Sequence, residues 1–145
     1  MPQTSAYSFL NVTATLDGRN VIGFFDGDNA IEVTRGADVG SLLVGADGSS
    51  IFSQSADRSA QITLRLQHTS PTHRQLMEKE KAQRAGRLVG FPFDFIDSLS
   101  KEGGSADKCF ILQAPVDQKG TNATVREWVI VTGDWNPSIP TGGIV

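Results

Sequence analysis

The chain has 145 residues, 39% of them hydrophobic and 20% charged, with a formal net charge of −3. This composition is typical of one globular domain over residues 1–145 and excludes a disordered chain. The acidic balance argues against a protein that grips nucleic acid through clustered Lys and Arg. One cysteine, Cys109, rules out an intrachain disulfide. No signal peptide is expected from the N-terminal residues, and no apolar run approaches the ~20 residues that cross a bilayer, so no membrane insertion is expected.

The first third of the chain is divided by glycines into short segments, which predicts a sandwich or barrel of short strands. Residues 10–17 alternate apolar and polar side chains and predict a half-buried strand that ends in a tight Asp17-Gly18 turn. Residues 21–25 are expected to return as its partner strand, and residues 31–34 to form a third strand. The side chains expected to face the core in the first strand are Leu10, Val12, Ala14 and Leu16.

Residues 41–44 and 51–53 flank a small, glycine-containing stretch over residues 45–50. This pattern predicts a long hairpin over about residues 41–53 with a flexible tip. A hairpin with so few large side chains cannot build its own core, and lone hairpins are marginal in water. We therefore expect it to lie against something else.

The clearest pattern lies in residues 59–76, where an alternating strand runs directly into a capped helix. The even-numbered residues from Ala60 to Leu66 form a dry face, and the odd-numbered residues from Gln61 to Gln67 form a wet face. Ser70-Pro71 has the form of an N-cap followed by the first helical residue. Gly86 has the form of the residue that follows a helix end. The sequence therefore predicts one helix over about residues 71–85.

The C-terminal half adds three further segments that predict strands, over residues 91–96, 108–114 and 126–132. Pro92 predicts a sheet edge for the first of them, because proline cannot donate to a strand ladder. The last segment, around Trp128, is apolar on both faces and is expected in the middle of a sandwich or at a subunit contact. Residues 101–106 are expected to form a polar loop, and the Pro/Gly-rich tail over residues 136–145 to order in an assembly.

The sequence offers no arrangement of residues that predicts catalysis or metal binding. His68 and His73 are five residues apart across a strand-to-helix junction, which is not the spacing of a helical metal pair. Cys109 lies within an apolar strand, where a cysteine is usually an inert small hydrophobe. No phosphate-binding loop or serine-nucleophile motif is present. We therefore expect no enzyme activity and no cofactor. The remaining features favour self-association through a sheet that neighbouring copies complete.

Four stretches, taken together, resemble a family of phage structural proteins: residues 6–16, 45–48, 59–76 and 127–129. They occur in order, and from the first to the last they span most of the chain. The family they resemble is the tail tube protein of contractile-tailed phages, which is encoded beside the tail sheath.

The resemblance implies a β-sandwich or half-barrel with one flanking helix and a long stacking hairpin. It implies a structural virion protein whose six copies form a ring, with rings stacked into a tube that is assembled in the cytoplasm of the bacterial host. The channel would conduct phage DNA without specific binding. The expected partners are further copies of the chain, the tail sheath, the tape measure protein, the tail terminator and the baseplate proteins.

Three surfaces follow from the resemblance together with the patterns above. The stacking hairpin would use Leu42, Val44, Gly45, Ala46, Asp47, Gly48, Ser49, Ser50 and Ile51. The channel would be lined by Thr13, Thr15, Asp17, Gln61 and Thr63, and Arg65 on the same strand face fits that role poorly. The outer surface of the helix would present Arg74, Glu78, Lys81 and Arg84.

Two other functions fit the same sequence. An inner-tube protein of a related contractile injection or secretion system would stack rings by the same physics. A monomeric β-sandwich binding module, for example for carbohydrate, would need exposed aromatic side chains. Of the two tryptophans, Trp128 lies in an apolar strand. A stable monomer with a glycan ligand would favour the binding module.

Overall fold

The computed structural model describes residues 2–142, which contain ten β-strands, one α-helix and one short 3-10 turn. The predicted mainly-β class with one flanking helix is therefore confirmed. Helix α1 spans Pro71–Arg84, and the 3-10 turn Phe9–Asn11 precedes the first strand. The strands are β1 (Val12–Leu16), β2 (Arg19–Asn20), β3 (Ile31–Arg35), β4 (Gly40–Val44), β5 (Ser50–Gln54), β6 (Ala60–Gln67), β7 (Phe91–Asp97), β8 (Gly103–Gln113), β9 (Val125–Thr132) and β10 (Asn136–Pro137).

One antiparallel sheet contains eight of these strands, in the order β2-β1-β7-β8-β9-β6-β3 with β10 paired to β8, while β4 and β5 form a separate hairpin. The large sheet curls into a half-barrel, because the segment over residues 21–25 bonds to strands near both of its edges. The N–H of Val21 donates to the carbonyl of Ala14 at 2.8 Å, and the N–H of Phe25 donates to the carbonyl of Arg65 at 2.9 Å. One curled sheet is thus the observed form of the predicted sandwich or half-barrel.

The strand and helix predicted from residues 59–76 form as expected. The dry face of β6 is buried throughout, with Ala60 2% exposed and Ile62, Leu64 and Leu66 fully buried. The hydroxyl of Ser70 accepts hydrogen bonds from the N–H groups of Thr72 and His73 and so caps α1. Gly86 follows the helix with φ of +94°, a left-handed conformation that glycine adopts without steric cost.

The core lies on the face of the sheet that α1 covers. Leu76 of the helix is fully buried in one cluster with Leu16 of β1, Phe93 of β7 and Ile130 of β9. Trp128, the largest fully buried side chain, joins the same cluster. The helix is poor in apolar residues and also binds the sheet through polar contacts. The side chain of Gln83 donates to the carbonyl of Ile111 at 2.8 Å and accepts from its N–H at 3.1 Å.

Two expectations for the N-terminal third are wrong. The first strand begins at Val12, and Leu10 lies in the 3-10 turn with 95% of its surface exposed. The partner of β1 is the two-residue strand β2, directly after the predicted Asp17-Gly18 turn. Residues 21–25 leave the ladder because Gly23, at φ of +79°, packs against the helix cap. A Cβ on Gly23 would lie 2.8 Å from the Cβ of Ser70.

The expectations of a sheet edge at Pro92 and a loop at residues 101–106 are also wrong. Strand β7 lies between β1 and β8, and a register shift against β8 between Phe91 and Phe93 accommodates the proline. Strand β8 begins at Gly103, within the expected loop. Glycine is required there for close packing, because a Cβ on Gly103 would lie 2.1 Å from the carbonyl oxygen of Phe95.

Strand β9 occupies the middle of the sheet, between β8 and β6, as its apolar sequence predicts. Trp128 and Ile130 face the core. Val129 and Val131 lie on the opposite face of the sheet, where Val129 is 8% exposed. In the tail, residues 136–137 form β10, and residues 143–145 lie outside the described part of the chain.

Candidate assembly surfaces

The hairpin of β4 and β5 presents apolar side chains on both of its faces. Leu42 pairs with Phe52 on one face, and Leu43 pairs with Ile51 on the other. Each of these four side chains is between 58% and 67% exposed. Isolated apolar side chains are common on protein surfaces, but a ribbon that exposes apolar pairs on both sides is a candidate interaction site.

The ribbon ends in a well-defined tip. Gly45 and Ser49 are joined by a hydrogen bond of 2.7 Å, and Gly48 has φ of +89°. The carboxylate of Asp47 accepts a hydrogen bond from the N–H of Ser49 at 3.0 Å, which lowers the pKa of Asp47. The remaining predicted stacking residues, Val44, Ala46 and Ser50, lie in or beside the tip and are exposed. The tip is thus a polar, hydrogen-bonded end to an apolar ribbon.

The polar face of the large sheet unites four of the five residues predicted to line a channel. Thr13 and Thr15 of β1, and Gln61 and Thr63 of β6, all point away from the core, as their alternation with buried neighbours requires. On this face Thr15 is registered with Asp94 of β7. Thr63 is registered with Val129 of β9. The two predicted pairs share this face, but Thr13 and Thr15 lie near one edge of the sheet and Gln61 and Thr63 lie near the other.

Arg65 on the polar face does not present a free positive charge. Its guanidinium binds the carboxylates of Glu32 on β3 at 3.0 Å and of Glu127 on β9 at 3.1 Å. It also donates to the carbonyl of Asn29 at 2.7 Å. One cation against two carboxylates leaves the group with a single negative charge. Because both carboxylates are supplied by neighbouring strands, strand register decides the electrostatics of this face.

Asp17, the fifth residue predicted to line a channel, is held elsewhere. It lies in the turn after β1 with φ of 52°. Its carboxylate binds the ammonium group of Lys79 of α1 at 2.6 Å. The same ammonium group lies 5.0 Å from the ring centre of Phe91, in cation–π geometry. Asp17 therefore belongs to the contact between turn and helix, on the side of the sheet that carries the core.

The four helix residues predicted to face outward are exposed. Arg74 binds Glu78 at 3.4 Å, and Arg84 binds Glu80 at 2.7 Å, both at the i,i+4 spacing. Lys81 forms no ion pair with any residue of the described range 2–142. Surface pairs of this kind contribute little stability, so this side of the helix is a solvated, mixed-charge surface.

The groups that carry chemistry in other proteins have structural roles here. The indole N–H of Trp128 donates to Nδ1 of His73 at 2.9 Å. Burial raises the pKa of the Cys109 thiol to about 11, so it is protonated at neutral pH and is a poor nucleophile. Within residues 2–142 no three His, Cys, Asp or Glu side chains converge as a metal site would require. The same range contains no helix long and apolar enough to cross a membrane.

A family model described as the bacteriophage PhiTE tail tube protein matches residues 4–136 of this chain. The chain belongs to this family. Tail tube proteins of this family are structural components of phage tails and not enzymes, which accords with the resemblance found in the sequence. No curated protein sequence matches the chain at a significant level.

Solved structures with the same fold come from contractile systems. The anti-feeding prophage cap, which terminates the tube, superposes with a TM-score of 0.65 at 10% identity, covering 95% of this chain and 94% of that one. The sheath/tube terminator of the extracellular contractile injection system PVC superposes with a TM-score of 0.65 at 10% identity, covering 94% of this chain and 99% of that one. The PVC sheath-tube complex contains a chain that superposes with a TM-score of 0.60 at 12% identity, covering 88% of this chain and 87% of that one. The tail tube chain thus shares the fold of tube and terminator proteins over nearly its whole length.

Two features of this tail tube family member were missed from the sequence. The carboxylate partners of Arg65 were not found, although an arginine on the polar face of a strand is itself a signal for cross-strand acids. The exposed loop after α1, with Leu88 71% exposed and Val89 79% exposed, was also missed.

Proposed function

We propose that the chain is the tail tube subunit of a contractile-tailed phage, with six copies in each ring and rings stacked into a tube whose channel conducts the phage DNA. The observation that carries the proposal is the β4–β5 ribbon in a chain of the tail tube family. Within residues 2–142 no further strand pairs with this ribbon, and its apolar pairs are exposed on both faces. Rings that stack through it would bury both faces and would remove the exposed edges of the ribbon.

The channel wall in this proposal is the polar face of the sheet, with Thr13, Thr15, Gln61 and Thr63. The Arg65 group keeps one negative charge, and Asp94 forms no ion pair with any residue between 2 and 142, so these groups make this part of the face negative. A negative wall repels DNA phosphates and lets the genome slide, whereas a basic wall would bind it. Asp17 is left out of this wall because it is bound to Lys79.

The proposed partners follow from the position of the subunit in a tail. The solvated side of α1, with Arg74, Glu78, Lys81 and Arg84, would face the sheath. The tape measure protein would occupy the channel before the DNA, and the terminator and baseplate would contact the two ends of the tube. Assembly would take place in the cytoplasm of the bacterial host, and the product would be part of the virion.

Electron microscopy of the purified protein tests the proposal. As the protein concentration rises, we expect sixfold rings and tubes of constant diameter. The tubes should sediment much faster than the monomer in the ultracentrifuge. A protein that stays monomeric at high concentration, even with the sheath protein present, would overturn the proposal. Such a monomer, if it also bound glycans, would instead be a β-sheet binding module.

A tube terminator is the second candidate, because two of the three solved structures described above are terminators and superpose with a TM-score of 0.65, against 0.60 for the chain of the sheath-tube complex. A terminator caps the tube with one ring and does not polymerise. Single rings that bind the end of a preformed tube would support it. Long tubes of the purified chain alone would exclude it.

A further inference from the structure

An acidic, aromatic cleft of about 540 Å³ opens at one end of the half-barrel. Its wall includes the rings of Tyr7 and Phe9, which are 70% and 40% exposed, and the carboxylates of Asp28 and Glu102. Neither carboxylate forms an ion pair with any residue between 2 and 142. Exposed aromatic rings beside unpaired acids suit an occupant that is both apolar and cationic.

A loop with matching chemistry follows the helix. Arg87 has no ion-pair partner in the described chain, and Leu88 and Val89 after it are among its most exposed apolar side chains. Lys108 of β8 lies beside this loop, since a Cβ on Gly90 would be 3.0 Å from the Cβ of Lys108. We call residues 86–90 the basic loop.

The cleft and the basic loop lie at opposite ends of one strand. Strand β7 begins at Phe91, directly after the basic loop, and ends at Asp97, which lines the cleft. Six steps of about 3.3 Å lead from Phe91 to Asp97, so the two lie about 20 Å apart. The basic loop therefore cannot reach the cleft of its own chain. A second copy displaced along the direction of β7 brings its loop to the cleft of the first.

We propose that the basic loop of one copy docks in the acidic cleft of the next, with Arg87 against Glu102 and Asp28, and with Leu88 and Val89 on the rings of Tyr7 and Phe9. This contact rests on the proposed tube function and adds the residues that join successive copies. It is heterologous, because it uses two different patches, and a heterologous contact whose rotation does not close a ring repeats as a filament. Its charge complementarity also sets the polarity of the tube.

Charge reversal in the full-length protein tests the contact. Arg87→Glu and Glu102→Arg each place like charges in the contact, and we expect each to cause loss of tubes in electron micrographs. The double variant restores an opposite pair and should recover tubes. Lys81→Glu makes the same charge change as Arg87→Glu on the solvated side of the helix and should leave tubes unchanged. Circular dichroism melts of all four proteins verify that each still folds.

Cysteine pairing gives a second readout that does not depend on tube length. Cys109 is buried, so it does not react. A mixture of Tyr7→Cys and Leu88→Cys proteins should form mixed disulfide dimers on mild oxidation under assembly conditions. Tubes of unchanged length from Arg87→Glu, without mixed dimers, would overturn the contact and leave the proposed tube function standing. A wild-type protein that never assembles would overturn both.

Discussion

The indole N–H of Trp128, in the middle of β9, donates a hydrogen bond to Nδ1 of His73 in the first turn of α1, across 2.9 Å. Trp128 is fully buried, so this bond satisfies a polar group that has no access to water. The bond also requires a neutral imidazole, because a protonated histidine has no acceptor nitrogen. One side-chain pair therefore fixes how the helix sits on the sheet and which protonation state of His73 the fold prefers.

Replacing His73 should destabilise the monomer. His73→Phe keeps an aromatic ring but leaves the indole N–H of Trp128 without an acceptor. An unsatisfied buried donor costs about 1–3 kcal/mol, so we expect the free energy of unfolding in urea to fall by that amount. His68→Phe is the matched control at an exposed position and should change the free energy by less than about 0.5 kcal/mol. Equal stability of the two variants would contradict this role of the hydrogen bond.

The free energy of unfolding should also fall as the pH decreases below neutrality, because His73 binds a proton more readily in the unfolded chain. Burial and the nearby Arg126 guanidinium lower the pKa of His73 in the folded protein. The unfolded chain, with a histidine pKa of about 6.5, binds a proton that the folded chain does not. The contribution of neutral His73 to the free energy of unfolding is fully present above about pH 6.5. It is lost as the pH falls toward the lower pKa of His73 in the folded protein.

Thermal melts at about pH 7.5 and about pH 5.5 measure this effect. We expect the melting temperature to drop more for the wild type than for His73→Gln, which cannot titrate. His68→Gln should keep the wild-type drop, since His68 is exposed. A His73→Gln protein with the full wild-type drop would show that other groups carry the pH dependence.

Shortening the hairpin should separate folding from assembly. Exchange of residues 45–49 for Asn-Gly keeps the pairing of Val44 with Ser50 and supplies a two-residue turn. The tip makes no contact with the core, so we expect an unchanged melting temperature and a complete loss of tubes in electron micrographs. Leu43→Ser with Ile51→Ser should act in the same way. The matched control is Ser41→Ala with Ser53→Ala, on the same face as Leu43 and Ile51, which should leave tubes unchanged. Tubes formed by the protein with the shortened hairpin would refute the role of the hairpin in stacking.

Removing the two carboxylates that bind Arg65 should make the proposed channel retain DNA. Glu32→Gln with Glu127→Gln removes two negative charges from the polar face and leaves one guanidinium unpaired. We expect the variant tubes to bind short duplex DNA in a salt-dependent manner, whereas wild-type tubes do not. Glu78→Gln with Asp38→Asn makes the same change in net charge away from this face and should leave DNA binding unchanged. Equal binding by the two variants would place the channel wall elsewhere.

The elements that were predicted well are those whose signal is local. Alternation in residues 60–67 gave β6, and the Ser70-Pro71 cap gave the helix start, because both depend on side chains a few residues apart. The hairpin over residues 41–53 was found in the same way. Gly103 and Gly104 were expected in a loop, because the neighbours that require glycine there, Phe95 and Trp135, belong to other segments of the chain.

The sequence by itself determined the class of fold, the helix, the hairpin over residues 41–53 and the resemblance to tail tube proteins, since periodicity, caps and turns are written in consecutive residues. Only the tertiary structure decided what meets across the sheet. It neutralised Arg65 with Glu32 and Glu127 and bound Asp17 to Lys79. It also set the basic loop and the acidic cleft at opposite ends of β7. These relationships depend on strand register and curl, which arise from packing between distant residues and leave no periodic signal in the chain.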